Sequence, residues 1–151
     1  MNIEKQFSIF MVNKPGVLAQ IFAEFAHAKV NVSALTVMDS VEHGVLRVVC
    51  ESAATMRDVL SHLNMQFDET EVLCATLPNR PGAFAAVAEK LAKAHINIAY
   101  AYCTAGAKGG KTTAILKVAD ISKAMKILKD SVDTGDDDRQ SVRRSPTSRK
   151  S

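Results

Sequence analysis

Apolar and polar positions alternate over residues 5–12, with Phe7, Ile9 and Met11 on one face and Phe10 and Val12 on the other, which predicts a strand. The period then changes. Leu18, Ile21, Phe22 and Phe25 stand at i, i+3, i+4 and i+7, the spacing of an amphipathic helix. Strand patterns follow over residues 30–39 and 45–51, and a second helical stripe carries Met56, Val59, Leu60 and Leu63. The same succession then returns. Phe84, Val87, Ala88 and Leu91 form a helical stripe, residues 96–104 and 112–119 read as strands, and Ala124, Ile127 and Leu128 mark another helix. Each half of the chain reads βαββα.

The succession is a true internal repeat. Asn13-Lys14-Pro15-Gly16 recurs as Asn79-Arg80-Pro81-Gly82, an offset of 66 that holds without a gap to Ser33 and Ala99, with 7 of 21 positions identical. After the next strand the best offset is 68, which places a two-residue insertion in a loop of the second copy. Pro15 and Pro81 are expected in the first turn of their helices, where the missing N–H costs nothing. Lys29 and His95 are expected at the matching last positions, where positive charge suits the helix dipole.

Between the copies, residues 67–77 contain no Gly, Asn or Pro to make a tight hairpin. One long or merely bent strand is expected there, its early half serving the first copy and its later half the second. Units of about 66 residues bury little alone, so the two should pack together and share a core. After Leu128 only Val132 and Val142 are aliphatic. Residues 133–151 therefore read as a disordered polar tail, a pattern that an expression scar or an altered reading frame would also leave. Copy two lacks a closing strand of its own in this reading, leaving a sheet edge that another chain could cover. The domains expected are residues 1–69, 70–132 and the tail.

Composition limits the function classes. The chain has 151 residues and a net charge of +3, but residues 136–151 hold five basic and three acidic side chains, so the rest carries only +1. No strong field draws such a body to nucleic acid or membrane. No apolar run approaches the ~20 residues of a membrane-spanning helix, and the six-residue run from Phe7 to Val12 is no secretory core. Cys50, Cys74 and Cys103 are odd in number and lie far apart. That argues against a disulfide framework or zinc site and for reduced thiols in the cytoplasm. No metal-ligand spacing links His27, His43, His62 and His95, and no nucleophile motif is visible, so neither a catalytic residue nor a cofactor is assigned.

The Asn-x-Pro-Gly segments carry the most specific chemistry. A helix N-terminus offers unpaired N–H groups and partial positive charge to a carboxylate. Gly16 and Gly82 would let a ligand approach the backbone. Asn13 and Asn79 can accept from an ammonium and donate to a carboxylate, which suits a zwitterion. The structural alternative is that Asn and Gly only shape a strand-to-helix turn. Asn31 and Asn97 lie eighteen residues further on in each copy. A helix of about fifteen residues, roughly 22 Å long, separates each from the first asparagine. They can act together only in crossed pairs, Asn13 with Asn97 and Asn79 with Asn31, within one chain or between chains. Their structural alternative is a left-handed residue just past the helix end.

Asn-[Lys/Arg]-Pro-Gly-[Val/Ala]-[Leu/Phe], a helix, then [Val/Ile]-Asn-[Val/Ile] resembles the ACT domain signature, present twice over about residues 3–130. The resemblance implies an α+β fold. Two ferredoxin-like βαββαβ domains would set their antiparallel sheets side by side with the helices on one face. It implies a regulatory protein that binds a free amino acid where ACT domains meet, working as a homodimer or upon a regulated enzyme. The ligand-binding residues implied are Asn13, Pro15, Gly16, Val17, Leu18 and Asn31, with Asn79, Pro81, Gly82, Ala83, Phe84 and Asn97. Val17, Leu18, Ala83 and Phe84 along the loops would favour aliphatic ligands. The sequence departs from the family in the closing strand and in Lys29 and His95, where many members have Gly.

Rival readings fare less well. Gly106–Thr112 invites a phosphate-loop reading, but Ala105 stands where that motif needs Gly, and strands flank the segment, so a hairpin is expected. Tyr100 and Tyr102 on one strand face invite a base-stacking reading toward RNA, but no RNP-like run occurs and packing explains them better. Arg143-Arg144 and Arg149-Lys150 read as a solvated tail. Residues 31–37 resemble the second strand of acetolactate synthase regulatory subunits. That gives the alternative of a regulatory subunit for an amino-acid biosynthetic enzyme. The repetition of the first half in the second ranks it lower.

Overall fold

The computed structural model describes residues 1–12, 14–40, 43–106 and 109–132. Its elements are β1 (Asn2–Met11), α1 (Val17–His27), β2 (Val32–Asp39), β3 (Gly44–Cys50), α2 (Ala53–His62) and β4 (Gln66–Pro78). Then come α3 (Ala83–Lys93), β5 (Ile98–Ala105), β6 (Lys111–Val118) and α4 (Ile121–Val132). The strands form one six-stranded antiparallel sheet in the order β2-β3-β1-β4-β6-β5.

The second copy reproduces the first down to its irregularities. Val32 pairs with Cys50 and Ala34 with Val49 around a bulge; Ile98 pairs with Val118 and Tyr100 with Lys117 around a bulge at the equivalent place. The stretch without turn residues is indeed one strand. Gln66–Cys74 of β4 pairs with β1, and Leu73–Pro78 pairs with β6.

The register of β1 on β4 defines the symmetry. Lys5 lies opposite Glu71, and the repeat offset of 66 maps one onto the other, so an approximate two-fold axis passes between them. Their side chains form an ion pair at 3.7 Å. Each copy's first strand thus closes the other copy: β4 flanks β1, and β1 flanks β4. The expected empty closing place in copy two is corrected accordingly, because β1 occupies it as far as the Asn2–Cys74 pair. Residues 133–151, where a tail was expected, lie outside the described residues.

Along β1 and β4 the odd-numbered residues face the helices. Phe7, Ile9 and Met11 pack with Leu46, Val48, Ile21, Phe25, Met56 and Leu60. Leu73 packs with Leu116, Val118, Val87, Leu91, Ala124 and Leu128. Because the sheet is continuous, α1 and α2 cover one half of the same face that α3 and α4 cover in the other. Each large apolar side chain buried there contributes about 1.5–3 kcal/mol relative to exposure.

The opposite face is also shut, because the sheet coils over it until β2 comes into contact with β5. Gln6 on β1, fully buried, donates from Nε2 to the Tyr100 hydroxyl at 2.6 Å and accepts from the Tyr102 hydroxyl at 2.9 Å. The Arg47 guanidinium on β3 lies over the Tyr100 ring, 4.2 Å from its centroid. Ala34, Val49, Val72, Cys74 and Ile115 form a small apolar cluster on this face, with Tyr102 against it. The packing account of the two tyrosines therefore holds.

Helix ends differ from the sequence expectation in two respects. Pro15 and Pro81 precede their helices. They sit at the second position of type II turns, closed by Val17 N–H to Lys14 C=O at 3.3 Å and by Ala83 N–H to Arg80 C=O at 3.4 Å. Such turns require positive φ at the third position, and Gly16 (φ 91) and Gly82 (φ 84) supply it. Lys29 and His95 lie past the helix ends, at φ 57 and 58. Their successors Val30 and Ile96 donate back to Phe25 and Leu91 C=O at 2.9 Å, closing Schellman motifs. These residues, not Asn31 and Asn97, occupy the left-handed positions, which removes the structural alternative held for those asparagines. It also explains why Gly would suit the site. A left-handed non-glycine residue costs roughly 1–2 kcal/mol, partly offset in a Gly variant by greater unfolded-state entropy. Lys29→Gly and His95→Gly should therefore each raise stability by up to about 1 kcal/mol in urea denaturation.

Candidate functional site

The antiparallel sheet directions decide which asparagines share an end. β2 starts, and β4 ends, at the same end of the sheet, so Asn31 and Asn79 share that end. Asn97, before β5, lies at the opposite end, where β1 finishes. Asn13 is outside the described residues; its chain neighbour Val12 is at that end and exposed. The helices between the asparagines are eleven residues each rather than fifteen. At roughly 16 Å they still hold the two asparagines of one copy apart.

Asn79 is built into a loop crossing. Its backbone N–H donates to Gly110 C=O at 2.8 Å, its C=O accepts from Gly109 N–H at 3.2 Å, and its Nδ2 donates to Gly106 C=O at 3.1 Å. The glycine-rich segment is thus the β5–β6 hairpin, held against the Asn-x-Pro-Gly turn. Asn31 is exposed, and its Nδ2 donates to Glu51 Oε1 at 3.1 Å.

The other implied ligand residues divide between core and surface. Val17 and Leu18 are half-buried against the copy-one core. Ala83 borders a 350 Å³ groove with Leu77, Arg80, Val87 and Lys90, while Phe84 is 38% exposed. Pro15, Gly16, Pro81, Gly82 and Asn97 are exposed. A Cβ at Gly16 or Gly82 would meet nothing within 4 Å, so positive φ alone accounts for these glycines. Neither carries a side-chain cap on its helix, which leaves the first-turn N–H groups uncapped by side chains.

A cavity of about 250 Å³ on the helix-free face joins the two copies at the Asn31–Asn79 end. Ser33, Ala34, Val49, Cys50 and Glu51 enter from β2, β3 and the turn after it, Asn2 and Glu4 from β1, and Cys74, Thr76, Thr113 and Ile115 from β4 and β6. Its rim holds Glu4, bonded to Asn2, and Glu51, bonded to Asn31. The sequence reading missed this set. Its only available signal was the alternation of small and hydroxylic residues on the inward positions of three strands. Larger grooves exist elsewhere. One of about 740 Å³ between α1 and α2 is lined by Glu24, His27, Asp58 and His62, but it lies on the outer helical surface of one copy.

The fold is a duplication of ferredoxin-like units whose first strands close each other's sheets. A family model described as "ACT domain pair" matches residues 1–138, and the chain belongs to that family. Among solved structures, protein BT0572 from Bacteroides thetaiotaomicron is similar with 27% identity and a TM-score of 0.80, covering 86% of this chain and 89% of that one. The regulatory subunit of aspartate kinase from Thermus thermophilus, in its ligand-free form, shares the fold at 11% identity and a TM-score of 0.62, over 85% and 94% of the chains. Aspartokinase III of E. coli, in complex with lysine and aspartate, does so at 15% identity and 0.57, over 86% of this chain and 30% of that one. A search of curated protein sequences returned no match. Among the described residues, no helix is long and apolar enough to cross a membrane, and no group of three or more His, Cys, Asp or Glu is placed to hold a metal ion.

The cavity thiols are held protonated. Burial pushes Cys74 up to about 11, with the nearby Glu4 carboxylate adding to the shift. Cys50 is raised by burial as well, against a hydrogen bond to the Ser52 backbone. Cys103 is exposed. Iodoacetamide at pH 8 should therefore modify Cys103 well before Cys74, read by peptide mass spectrometry. As pH rises from about 9 toward 11 the unfolded chain loses the Cys74 proton while the folded chain keeps it, so stability falls across that window. Cys74→Ala should flatten this fall relative to the wild type in denaturation at graded pH.

Proposed function

We propose that the protein is a non-catalytic, cytoplasmic sensor that binds a small free amino acid between its paired ACT units and passes that state to a regulated enzyme or a second copy of itself. The observation that carries this reading is the inter-copy cavity at the end shared by Asn31 and Asn79. Crossed pairing of the two asparagine classes needs Asn31 and Asn79 at one end of the sheet, and the strand directions within one chain are compatible with that. At about 250 Å³ the cavity is smaller than the roughly 300–1,000 Å³ sites of drug-sized ligands, as an amino acid requires. Ser33, Thr76 and Thr113 offer hydroxyls to a carboxylate, and Glu4 and Glu51 face an ammonium at the rim. Asn31 and Asn79, with Pro81, Gly82, Ala83 and Phe84, are the residues proposed to frame this end. Asn97, Pro15, Gly16, Val17 and Leu18, and Asn13 by its place in the chain, belong to the opposite end; among the described residues, none of these lines the cavity. The likeness to aspartate kinase regulatory chains fits the same role.

Thermal-shift measurement against the twenty amino acids at millimolar concentration should show selective stabilisation by one or a few chemically related ones. A ligand at about 100 times its dissociation constant adds roughly 2.7 kcal/mol, which is easily seen. Asn79→Ala should weaken that binding by calorimetry. Unchanged binding in both Asn13→Ala and Asn79→Ala would sink the assignment.

A further inference from the structure

A duplicated fold with an approximate two-fold axis should carry two equivalent inner sites, one at each end of the helix-free face. Among the described residues, an inner cavity lined by both copies lies at one of these ends. At the Asn31–Asn79 end the cavity wall includes Ala34, Val49 and Ile115. The repeat maps these onto Tyr100, Lys117 and Arg47, and the matching strand registers of the two copies support that mapping. Tyr for Ala is far larger, Lys for Val is longer, and Arg for Ile is similar in volume but longer and charged, and all three side chains reach across the equivalent region. Tyr100 reaches inward to Gln6 at 2.6 Å, Arg47 stacks on its ring at 4.2 Å, and Lys117 spans to Thr70 at 2.8 Å. Among the described residues, the buried Nε of Arg47 has no hydrogen-bond partner, while the guanidinium packs on the Tyr100 ring.

We propose that each chain binds one amino acid, in the cavity lined by Ser33, Ala34, Thr76, Thr113 and Ile115, and that Tyr100 and Arg47 permanently plug the second, symmetry-related position. This rests on the amino-acid-binding reading above and adds stoichiometry, place and ligand charge to it. The lining holds Glu4 and Glu51 and no basic side chain, so amino acids with anionic side chains are rejected. The plug also couples the copies. Gln6, Arg47 and Tyr100 lock β1 and β3 of one to β5 of the other, leaving the open end to respond to ligand.

The test is isothermal titration of the full chain with whichever of the twenty amino acids raises its melting temperature. A stoichiometry of one per chain is expected, with no binding of aspartate or glutamate. Ala34→Tyr, which copies the plug into the open end, should abolish binding, whereas Tyr100→Ala should retain it. The wild type supplies a readout free of folding effects. Ligand should slow alkylation of Cys74, which lines the cavity, and leave the exposed Cys103 unaffected. Two ligands per chain, an unprotected Cys74, or loss of binding in Tyr100→Ala with retention in a folded Ala34→Tyr would overturn the proposal while leaving amino-acid sensing intact. Binding of none of the twenty would overturn both.

Discussion

The pairing of β1 with β4 is the constraint on which the rest of the molecule depends. Each strand is the first of its own copy and the closing strand of the other, so neither half can complete its sheet alone. The register that sets Lys5 against Glu71 fixes the two-fold axis. From it follow the common face for the helices and the placing of Asn31 and Asn79 at the same end of the sheet. A slip of one residue would turn Phe7, Ile9 and Leu73 from the helix layer to the inner face, at the cost of both cores. Fusion of two small units around one shared interface also answers the poor surface-to-volume ratio of domains this size.

Symmetry in the backbone and asymmetry in the side chains divide the labour. Turns, bulges and Schellman ends are duplicated nearly residue for residue, because the same local geometry must be built twice. The inner face is not. One end is filled by a fully satisfied Gln6 between two tyrosine hydroxyls, with a cation stacked on the ring. The other retains a cavity lined by hydroxyls, thiols and carboxylates. A buried polar network that is satisfied on every Gln6 atom rigidifies its end. At the cavity end the Asn-x-Pro-Gly turn meets the β5–β6 hairpin through Asn79.

The family and its fold were legible because the signature occurs twice with intact spacing. The cavity was not. Its walls come from β1, β2, β3, β4 and β6, brought together only when a sheet that could have stayed open curls on itself. Sequence reasoning fixed on the residues around the Asn-x-Pro-Gly loops, where local motifs concentrate, and passed over Ser33, Thr76 and Thr113, which belong to no motif. Pro15, Gly16 and their counterparts were legible as turn formers. Their exact places, ahead of the helices rather than within them, depended on φ values that composition does not reveal.

What the sequence determined by itself was everything governed by local periodicity and repetition. That includes the βαββα order, the duplication with its change of offset from 66 to 68, and the single long strand across a stretch without turn residues. What only the tertiary structure decided was partnership. The chain folds so that β1, which the repeat offset of 66 maps onto β4, supplies the closing strand of copy two. The inner face closes through contacts such as Gln6 to Tyr100, 94 residues apart. Local sequence sets which face of a strand is apolar, but which strand lies beside it is set by the burial available to the whole chain.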